Sequence, residues 1–525
     1  MNRPDARAPE KRELDGDPDL QVLITAAEAF PHFETLMMNA REEVQAGFRI
    51  FDPETRLRSE AARAIGETWY DLVVHTLRRG VRMTVVLSDF DPIHATDLHR
   101  AARRCLHQLR RAAVTSGKPG NLIVRAAPHP AQTGMPLRAA LARIERKLLL
   151  PHVEKLNEWD TETRRRWMRQ TPGVTMLLAR AAEKISPRPW RPPHMLPGTH
   201  HQKLAVFDRE RLYIGGLDLD ERRYDDPGHR RGGPDTWHDV QLSMRGTVAS
   251  VAADHVEAFE AECAARQAPA PRPGLMRTLS VRRHPLSLRL GPKPKVHEIR
   301  DRLLAEIAQA RQFIYIETQF LRDPTIAKAL ARRGREVPGL SLVAVLPAAP
   351  EDKAFDGNRG MDARFGEYLQ SRAVRKISEA MGTRAVFVAP AQPKPDRDRE
   401  DDPNLDGAPL VYVHAKVAVF DDRVAIVGSA NLNGRSMLWD TEVAVALETP
   451  GVARDLRLDL MRHWMADNGT EAHYDPETAA EAWGRTARKN AEARPEDRDC
   501  FVLPYPETSA RAFGKWLPLF LHPMV

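Results

Sequence analysis

The stretch His201–Asp208 reads HQKLAVFD, and the stretch His414–Asp421 reads HAKVAVFD. Each aspartate is followed by six residues and then by GGLDL at Gly215–Leu219 in the first stretch and by GSANL at Gly428–Leu432 in the second. From each histidine to the last leucine, 8 of 19 positions are identical without a gap. A repeat in this register predicts that one chain contains two copies of one structural unit.

The sequence upstream of each copy repeats as well. The apolar runs Phe48–Phe51 and Phe313–Ile316 each follow a helical pattern. Each run precedes another helical segment and a second strand-like run, Val81–Leu87 in the first copy and Leu340–Leu346 in the second. Short strands that alternate with helices favour the α/β class. We therefore predict two similar α/β halves, with mixed sheets flanked by helices, packed as a pseudo-twofold duplicated core.

The two copies differ in length. The upstream runs lie 265 residues apart and the two histidines 213 residues apart, so the first copy carries about 52 additional residues. Arg-rich helical patterns in that region predict a helical insertion at about 99–195. The predicted boundaries are a polar tail at 1–19, a first repeat at 20–266, a Pro- and Arg-rich linker at 267–295, a second repeat at 296–470 and a C-terminal extension at 471–525.

Composition excludes several classes of protein. Hydrophobic residues make up 42% of the 525 positions and charged residues 29%, which excludes wholesale disorder. Three widely spaced cysteines argue against a disulfide framework and a thiolate zinc site. A net charge of +7 over this length does not indicate a dedicated nucleic-acid binder.

No stretch reaches the roughly 18 apolar residues of a membrane helix, and the first residues lack the apolar core of a secretory signal. We expect a cytoplasmic or peripheral membrane location, with export by a route that needs no Sec-type signal left open.

The repeated motif places two reactive side chains on one face of a strand. Side chains alternate between the faces of a strand, so His201 and Lys203 point the same way, as do His414 and Lys416. Two such halves packed together offer two imidazoles and two ammonium groups. One imidazole can attack phosphorus to form a phosphohistidine, while the other protonates the leaving alcohol and later activates water. This combination predicts phosphodiester cleavage.

The aspartates of the motif differ from the histidines and lysines in position. Asp208 and Asp421 lie seven residues after their histidines, at an odd offset, and begin a turn. We interpret both as structural residues that hold a hairpin. We expect no cofactor and no metal, because the sequence contains neither an HExxH pattern nor a calcium-loop pattern.

The paired motifs resemble those of the phospholipase D superfamily, whose members carry two HxKx4D motifs and one active site between two halves. The resemblance covers about 20–470 and is nearest to the eukaryotic-type branch. The residues that carry it, beyond the motifs themselves, are Arg223-Tyr-Asp225, Trp237-His-Asp239, Tyr315-Ile-Glu-Thr-Gln-Phe320 and Asn433-Gly-Arg-Ser436. The implied fold is a phospholipase D-like duplicated core.

The resemblance also implies roles for single residues. His201 would be the nucleophile and His414 the general acid and base, although family assignments also allow the reverse order. The side chains expected to contact phosphate are Lys203, Lys416 and Asn431. The acidic residues expected to support the histidines are Asp239 and Glu442. Asp218 stands where many members have Asn, and since a carboxylate is a poor ligand for an anion, it could instead position a neighbour.

Further residues are candidates for substrate binding, each with a structural alternative. Gly216 could allow close approach of the substrate, and Ser429 could touch phosphate or cap a turn. Trp190 and Trp439 could line a headgroup or acyl pocket or could pack in the core.

Three functions are compatible with this pattern. The first is a phospholipase D that hydrolyses glycerophospholipids to phosphatidate and a free headgroup, with or without transfer to other alcohols. The second is a cardiolipin synthase-like phosphatidyltransferase, and the third is a nucleic-acid phosphodiesterase. We expect a phospholipid substrate, peripheral contact with a membrane surface, no dedicated nucleic-acid binding, and a monomer because both repeats lie in one chain.

Overall fold

The computed structural model describes residues 19–181, 184–188, 195–350, 360–393, 404–466 and 468–525. Most of the predicted polar tail and the candidate Trp190 lie outside these residues. Among the residues described, no helix combines the length and the apolar composition that crossing a bilayer requires.

The first half alternates strands and helices. Its elements are β1 (Gln21–Ile24), α1 (Thr25–Asn39), β2 (Glu43–Phe48), α2 (Glu60–Arg63), α3 (Trp69–Arg78), β3 (Arg82–Asp89), α4 (Thr96–Thr115), β4 (Leu122–Pro128), α5 (Met135–Glu158), α6 (Thr161–Gln170), α7 (Pro172–Thr175), β5 (Leu178–Ala181), β6 (Lys184–Pro187), β7 (Leu204–Phe207), β8 (Arg211–Gly215), β9 (Val240–Arg245) and α8 (Thr247–Cys263).

The second half repeats this order with a longer C-terminal part. Its elements are β10 (Met276–Val281), β11 (Lys293–His297), α9 (Glu298–Gln309), β12 (Phe313–Thr318), α10 (Pro324–Glu336), β13 (Ser341–Val345), α11 (Met361–Met381), β14 (Ala385–Pro390), β15 (Asn404–Leu405), β16 (Ala408–Pro409), β17 (Lys416–Phe420), β18 (Val424–Gly428), α12 (Gly434–Leu438), β19 (Glu442–Leu447), α13 (Val452–Met465), α14 (Glu471–Tyr474), α15 (Ala479–Glu492), β20 (Val502–Pro504) and α16 (Glu507–Phe513).

The two sheets have the same topology. The first runs β1-β9-β8-β7-β2-β3-β4, and the second contains the equivalent order β10-β19-β18-β17-β12-β13-β14, with β11 and β20 added at its two edges. In both sheets the last three of these strands pair in parallel and the others pair antiparallel. The prediction of two similar α/β halves is therefore confirmed.

Alternation along the motif strands builds the core. Leu204 and Val206 of β7 lie in the same buried cluster as Val417 and Val419 of β17, so the two halves share one hydrophobic core. The residues that alternate with these on each strand point to the opposite face. Those of β7 join one buried cluster with the helices of the first half, and those of β17 join another with the helices of the second half. Strands buried on both faces are rich in valine and alanine, as β17 and β18 are.

Three of the predicted segments contain strands of the two sheets. The stretch 267–295, predicted as a linker, contains β10 and the start of β11, because β10 pairs with β19 on one side and with β11 on the other. The predicted insertion begins later than residue 99, since α4 and β4 belong to the first half's own layers. The inserted part is α5 to β6, which has a small core of its own around Trp167. The C-terminal extension supplies β20 to the second sheet.

Candidate active site

Two short backbone exchanges bring the halves together. The amide of His201 donates to the carbonyl of Thr441, 2.9 Å away, and the amide of Thr441 donates to the carbonyl of Thr199. In the same way, the amide of His238 donates to the carbonyl of Tyr412 and the amide of His414 donates to the carbonyl of His238, each at 2.8 Å. These bonds hold His201 beside Thr441, which precedes Glu442 of the second half. They hold His414 beside His238, which precedes Asp239 of the first half.

The first histidine is paired with a carboxylate of the second half. The Nδ1 atom of His201 lies 2.9 and 3.1 Å from the two carboxylate oxygens of Glu442. The hydroxyl of Ser429 donates to one of these oxygens at 2.5 Å, and that of Ser436 donates to the other at 2.6 Å. Ser429 in turn accepts the amide N–H of Val443, which leaves its own hydrogen for Glu442. These contacts fix the carboxylate of Glu442 from both sides.

The second histidine is paired with a carboxylate of the first half. The Nδ1 atom of His414 lies 2.6 Å from Oδ2 of Asp239, whose other oxygen accepts the amide N–H of Val240. A Cβ atom at Gly216 would lie 2.1 Å from Oδ1 of Asp239, so only glycine leaves room for this carboxylate. The acidic residues expected to support the histidines are therefore exchanged between the halves, which their sequence spacing does not reveal.

Both motif lysines lie beneath their histidines. Nζ of Lys203 donates to the carbonyl of His201 at 2.7 Å and lies 3.3 Å from its Nε2 atom. Nζ of Lys416 likewise donates to the carbonyl of His414 and lies 2.9 Å from its Nδ1 atom. Both lysines are buried. Burial lowers the pKa of both lysines, that of Lys416 to about 7, so the charge that each carries acts on the rings in surroundings where water screens little.

Asp218 is connected to cations rather than to the space where an anion would bind. Its carboxylate lies 3.8 Å from Nζ of Lys203 and 3.6 Å from the guanidinium of Arg49, and it accepts the amide N–H of Ile50. Burial alone would raise the pKa of Asp218, but Lys203 and Arg49 outweigh burial and lower it. The carboxylate of Asp218 thus lies beside two cations, Lys203 and Arg49.

One cavity of about 490 Å³ joins the two histidines. Its wall includes the imidazoles of both histidines, three side-chain amides and four guanidinium groups: His201, His414, Gln319, Asn431, Asn433, Arg49, Arg223, Arg322 and Arg435. Three carboxylates also reach it, those of Asp91, Asp362 and Asp440, and the last is paired with Arg435 at 3.1 Å. The cavity therefore combines two rings capable of proton transfer with several groups that bind anions.

Burial shifts the pKa values of the paired groups towards one another. Burial and the neighbouring lysines lower the pKa values of His201 and His414 well below the usual value. Burial raises the pKa of Asp239 to about 7 and that of Glu442 to about 7. Burial thus opposes the charged form of both members of each pair, which brings their proton affinities closer together.

The other predicted residues lie where they support the fold. Ser429 and Gly216 act on the carboxylates of Glu442 and Asp239 rather than on the cavity. Trp439 is buried, and its ring lies so close to Gly291 that a Cβ atom there would be 2.4 Å away. Trp439 does not line the cavity, and its interpretation as core packing is the one that the structure favours.

The two motif aspartates bind backbone amides. Asp208 accepts the N–H groups of residues 41–43, and Asp421 accepts those of residues 311–313. Both aspartates have positive φ, 52° and 51°. Each ties the turn after one strand of the motif to the start of the neighbouring strand, which matches a structural role.

None of the four cavity arginines was predicted as a site residue, although Arg223 and Arg435 stand in stretches that carry the family resemblance. Arg49 directly follows β2, Arg322 follows β12 by four residues, and Arg435 lies in α12. β2 and β12 are equivalent strands of the two copies, and ligands of α/β sheets bind beyond the carboxyl ends of such strands. An arginine near the carboxyl end of each of these equivalent strands was therefore the signal that could have identified Arg49 and Arg322.

Two groups of described side chains could hold a metal ion, and both lie outside this cavity. The first is His129, His200 and Cys263, and the second is His229, His238 and His463. The sequence contains no pattern that would have predicted either group, because each brings together residues that are far apart in the chain.

The chain is similar to known lipid-modifying enzymes. A family described as "Cardiolipin synthase, PLD-like domain" matches residues 303–464. Phospholipase D1 of Mus musculus is 27% identical over 249 residues, which cover 38% of this chain and 22% of the mouse enzyme. Phospholipase D alpha 1 of Arabidopsis thaliana is 21% identical over 376 residues, which cover 47% of this chain and 45% of the plant enzyme. The chain thus spans less than half the length of these curated relatives.

A solved structure shares the fold over most of both chains. Phosphatidylserine synthase of Haemophilus influenzae has a TM-score of 0.50 and 12% identity, with 90% of this chain and 94% of the synthase covered. That likeness concerns the fold alone, and it agrees with the duplicated sheets described above. The PLD-like domain match over residues 303–464 and the curated relatives named phospholipase D support the phospholipase D superfamily as the family of this chain.

Proposed function

We propose that the protein is a phospholipase D-type phosphodiesterase that hydrolyses glycerophospholipids to phosphatidate and a free headgroup, and that can transfer the phosphatidyl group to another alcohol. The observation that carries the proposal is a pair of histidine–carboxylate contacts at one cavity. In each contact, the histidine belongs to one half and the carboxylate to the other half. The curated relatives named phospholipase D support the choice of a phospholipid diester as substrate.

In the proposed first step, His201 attacks phosphorus. A carboxylate that accepts the Nδ1–H of His201 leaves a lone pair on Nε2, which is the nucleophilic nitrogen. Two serine hydroxyls donate to Glu442, and this favours its carboxylate form. Attack forms the Nε2–P bond and breaks the bond between phosphorus and the headgroup oxygen. His414 donates its Nε2 proton to that oxygen, and the headgroup leaves as an alcohol.

In the proposed second step, water or an alcohol replaces the histidine. His414 takes a proton from the incoming hydroxyl, whose oxygen forms a bond with phosphorus while the Nε2–P bond of His201 breaks. With water the product is phosphatidate, and His201 is regenerated. Negative charge on the non-bridging oxygens would be stabilised by Asn431 and the cavity arginines, with the two buried lysines adding a positive field.

A second candidate differs only in the acceptor. The family description names a cardiolipin synthase, and the solved structure that shares the fold is a phosphatidylserine synthase. Both observations favour a phosphatidyltransferase in which an alcohol replaces water in the second step. The chemistry at His201 and His414 is the same in both functions.

A single assay separates these functions. Purified protein is incubated with vesicles of several phospholipid classes, each with and without ethanol, and with phosphatidylglycerol or serine as acceptor. Headgroup release with phosphatidylethanol formation is expected for the hydrolase, whereas product only with the lipid or amino-acid alcohol would identify the transferase. Cleavage of plasmid DNA without turnover of any phospholipid would overturn both.

Peripheral contact with a membrane is part of the proposal. The loop between β10 and β11 exposes Leu286 and Leu288, whose relative exposures are 67% and 73%, and the sequence places Arg282 and Arg289 beside them. Apolar side chains flanked by arginines suit an anionic bilayer surface.

Changing Leu286 and Leu288 together to serine should weaken co-sedimentation with anionic vesicles and slow vesicle hydrolysis by a similar factor. Turnover of a short-chain soluble diester should stay unchanged, and so should a control with Val114→Ser, which is 71% exposed on α4. Equal losses on both substrates would mean that the loop does not serve membrane contact.

A further inference from the structure

Three imidazole rings meet at a second place in the molecule, outside the cavity. His229 lies between β8 and β9, His238 directly precedes Asp239, and His463 belongs to α13 of the second half. One potential ligand nitrogen of each ring lies within 4.8 Å of the others. The group therefore brings two histidines of the first half together with one histidine of the second half.

A carboxylate orients the first ring. Asp225 accepts the amide N–H groups of Trp237 at 2.7 Å and of Asp226 at 2.9 Å, so it is a hydrogen-bond acceptor at this site. Its Oδ2 atom lies 2.7 Å from Nδ1 of His229, which must then carry the hydrogen. The Nε2 atom of His229 is left with a lone pair, and it lies 3.0 Å from Nε2 of His463.

A second carboxylate orients the second ring. Glu317 accepts the hydroxyl of Tyr315 at 2.6 Å and the indole N–H of Trp464 at 2.7 Å on one oxygen. Its other oxygen lies 2.8 Å from Nε2 of His238, which therefore carries the hydrogen. The Nδ1 atom of His238 has a lone pair without a hydrogen-bond partner in a fully buried side chain. An unpaired buried nitrogen of this kind is costly to leave empty.

We propose that His229, His238 and His463 form a binding site for a divalent transition-metal ion such as Zn²⁺, which clamps the two halves together. Three imidazoles without an oxygen ligand suit zinc, copper or nickel, and they do not suit calcium or magnesium. Two of the rings donate their other nitrogen to a carboxylate, which is the usual support of histidine ligands to metals. Metal binding would displace the hydrogen shared between His229 and His463.

The ion would act on the active site through the backbone. His238 accepts the amide of His414 and donates to Tyr412, so fixing its ring also fixes the exchange that holds His414 beside Asp239. The half-buried His463 gives the ion a path from solvent. The proposed role is structural and does not depend on which phosphodiester is cleaved.

The test begins with metal content. The full-length protein is stripped with a chelator, titrated with Zn²⁺, and assayed for bound metal by mass spectrometry and for its thermal unfolding midpoint. We expect about one ion per chain and a rise in the midpoint. His463→Gln should bind at least tenfold more weakly, whereas His107→Gln, a change in an exposed histidine of α4, should bind as the parent does.

The other candidate group supplies a second control. His129, His200 and Cys263 contain a thiol, so Co²⁺ bound there would show a thiolate-to-cobalt charge-transfer band, and Co²⁺ bound by three imidazoles would not. Cys263→Ala should therefore leave metal content unchanged. A thiolate band, or loss of the ion in Cys263→Ala, would assign the ion elsewhere and overturn the proposal.

A positioning variant sharpens the result. In Glu317→Gln the amide N–H would donate to Nε2 of His238, the ring hydrogen would move to Nδ1, and that ligand would be lost. We expect affinity for Zn²⁺ to fall about 10–100-fold. A parent protein that binds no metal, or a Glu317→Gln variant that folds and binds Zn²⁺ with the parent's affinity, refutes the site.

Discussion

The two histidine–carboxylate pairs occupy equivalent places in the two halves but differ in their surroundings. Glu442 is the longer acid, and it receives two serine hydroxyls in addition to His201. Asp239 is the shorter acid, and besides His414 it receives one backbone amide. Where the second half has Ser429, the first half has glycine at 216, because a side chain there would collide with Asp239.

This difference separates two chemical tasks. More donors around Glu442 stabilise its charged form, which suits a histidine that must present a lone pair. Fewer donors around Asp239 suit a histidine whose proton is given away and taken back. The halves share a fold, and under the proposed function the different residues around the two acids would favour attack by His201 and proton transfer by His414.

The strongest way to break the comparison is to remove each ring in turn. His414→Ala should lower the rate of headgroup release by about 10²–10⁴-fold, the usual effect of losing a general acid. His201→Ala should lower it by at least as much. With a substrate whose leaving group needs no proton, His414→Ala should still accumulate a phosphorylated protein, detected by mass spectrometry after acid-free quenching, and His201→Ala should not.

The folded state of both variants is checked by circular dichroism, and His107→Ala serves as the exposed control. If the His201→Ala variant becomes phosphorylated, or if only the His414→Ala variant fails to, His414 would be the nucleophile and His201 the general acid and base. That result would leave the two-histidine chemistry intact.

Interchanging the supporting residues tests why position 216 is glycine. Gly216→Ser imitates the second half, but the added Cβ atom would lie 2.1 Å from Asp239 and displace its carboxylate. Since a misplacement of about 1 Å can cost about 10²-fold, we expect kcat to fall by that order with little change in KM. The reverse change, Ser429→Gly, should be milder, because Glu442 keeps Ser436. Equal effects of both changes would contradict the described difference.

A smaller effect is expected in the pH profile. The hydroxyl of Ser429 lowers the pKa of Glu442, which burial has raised to about 7, so Ser429→Ala should raise that pKa further. The carboxylate form then appears at higher pH, and the rising limb of kcat/KM should move to the alkaline side. A shift of about one pH unit corresponds to about a tenfold loss on the acid side of the limb. The control is Ser250→Ala, which removes a serine hydroxyl on α8. Gly216→Ala cannot serve as the control, because its added Cβ atom would displace the carboxylate of Asp239.

The smallest effect on turnover is expected at the two motif aspartates. Asp208→Asn and Asp421→Asn each weaken acceptance of three backbone N–H groups, which should lower the free energy of unfolding by about 1–3 kcal/mol. Denaturant unfolding should show similar losses for the two, while kcat of the folded fraction changes less than about twofold. A large loss of kcat at either position would mean that the aspartate acts beyond the fold.

Much of the fold could be predicted from register. Apolar residues alternate in the same way along both motif strands, so Leu204 and Val206 share a core with Val417 and Val419. The two equivalent sheets follow from the equivalent apolar runs of the two copies. The strand in the predicted linker was missed because Pro and Arg are frequent there, yet β10 pairs with β19 through the consecutive residues Met276–Thr278. Tertiary pairing overrode local composition.

The site could be predicted only in part. Both histidines, both lysines and Asn431 follow from the repeated motif. The exchange of Glu442 and Asp239 could not be seen, because spacing along the chain carries no information on which half an acid will face. The functions of Gly216 and Ser429 were also hidden, since each acts on an acid more than ten residues away in the chain.

The crossed backbone segments also bear on how such a site can vary. Two identical, separate copies related by symmetry would have to carry the same acid, with the same neighbours, in both places. Here the copies are joined in one chain, so each position can change without its counterpart. Two copies joined in one chain can therefore differ, with serines around Glu442 and a glycine beside Asp239. Two identical copies related by symmetry cannot.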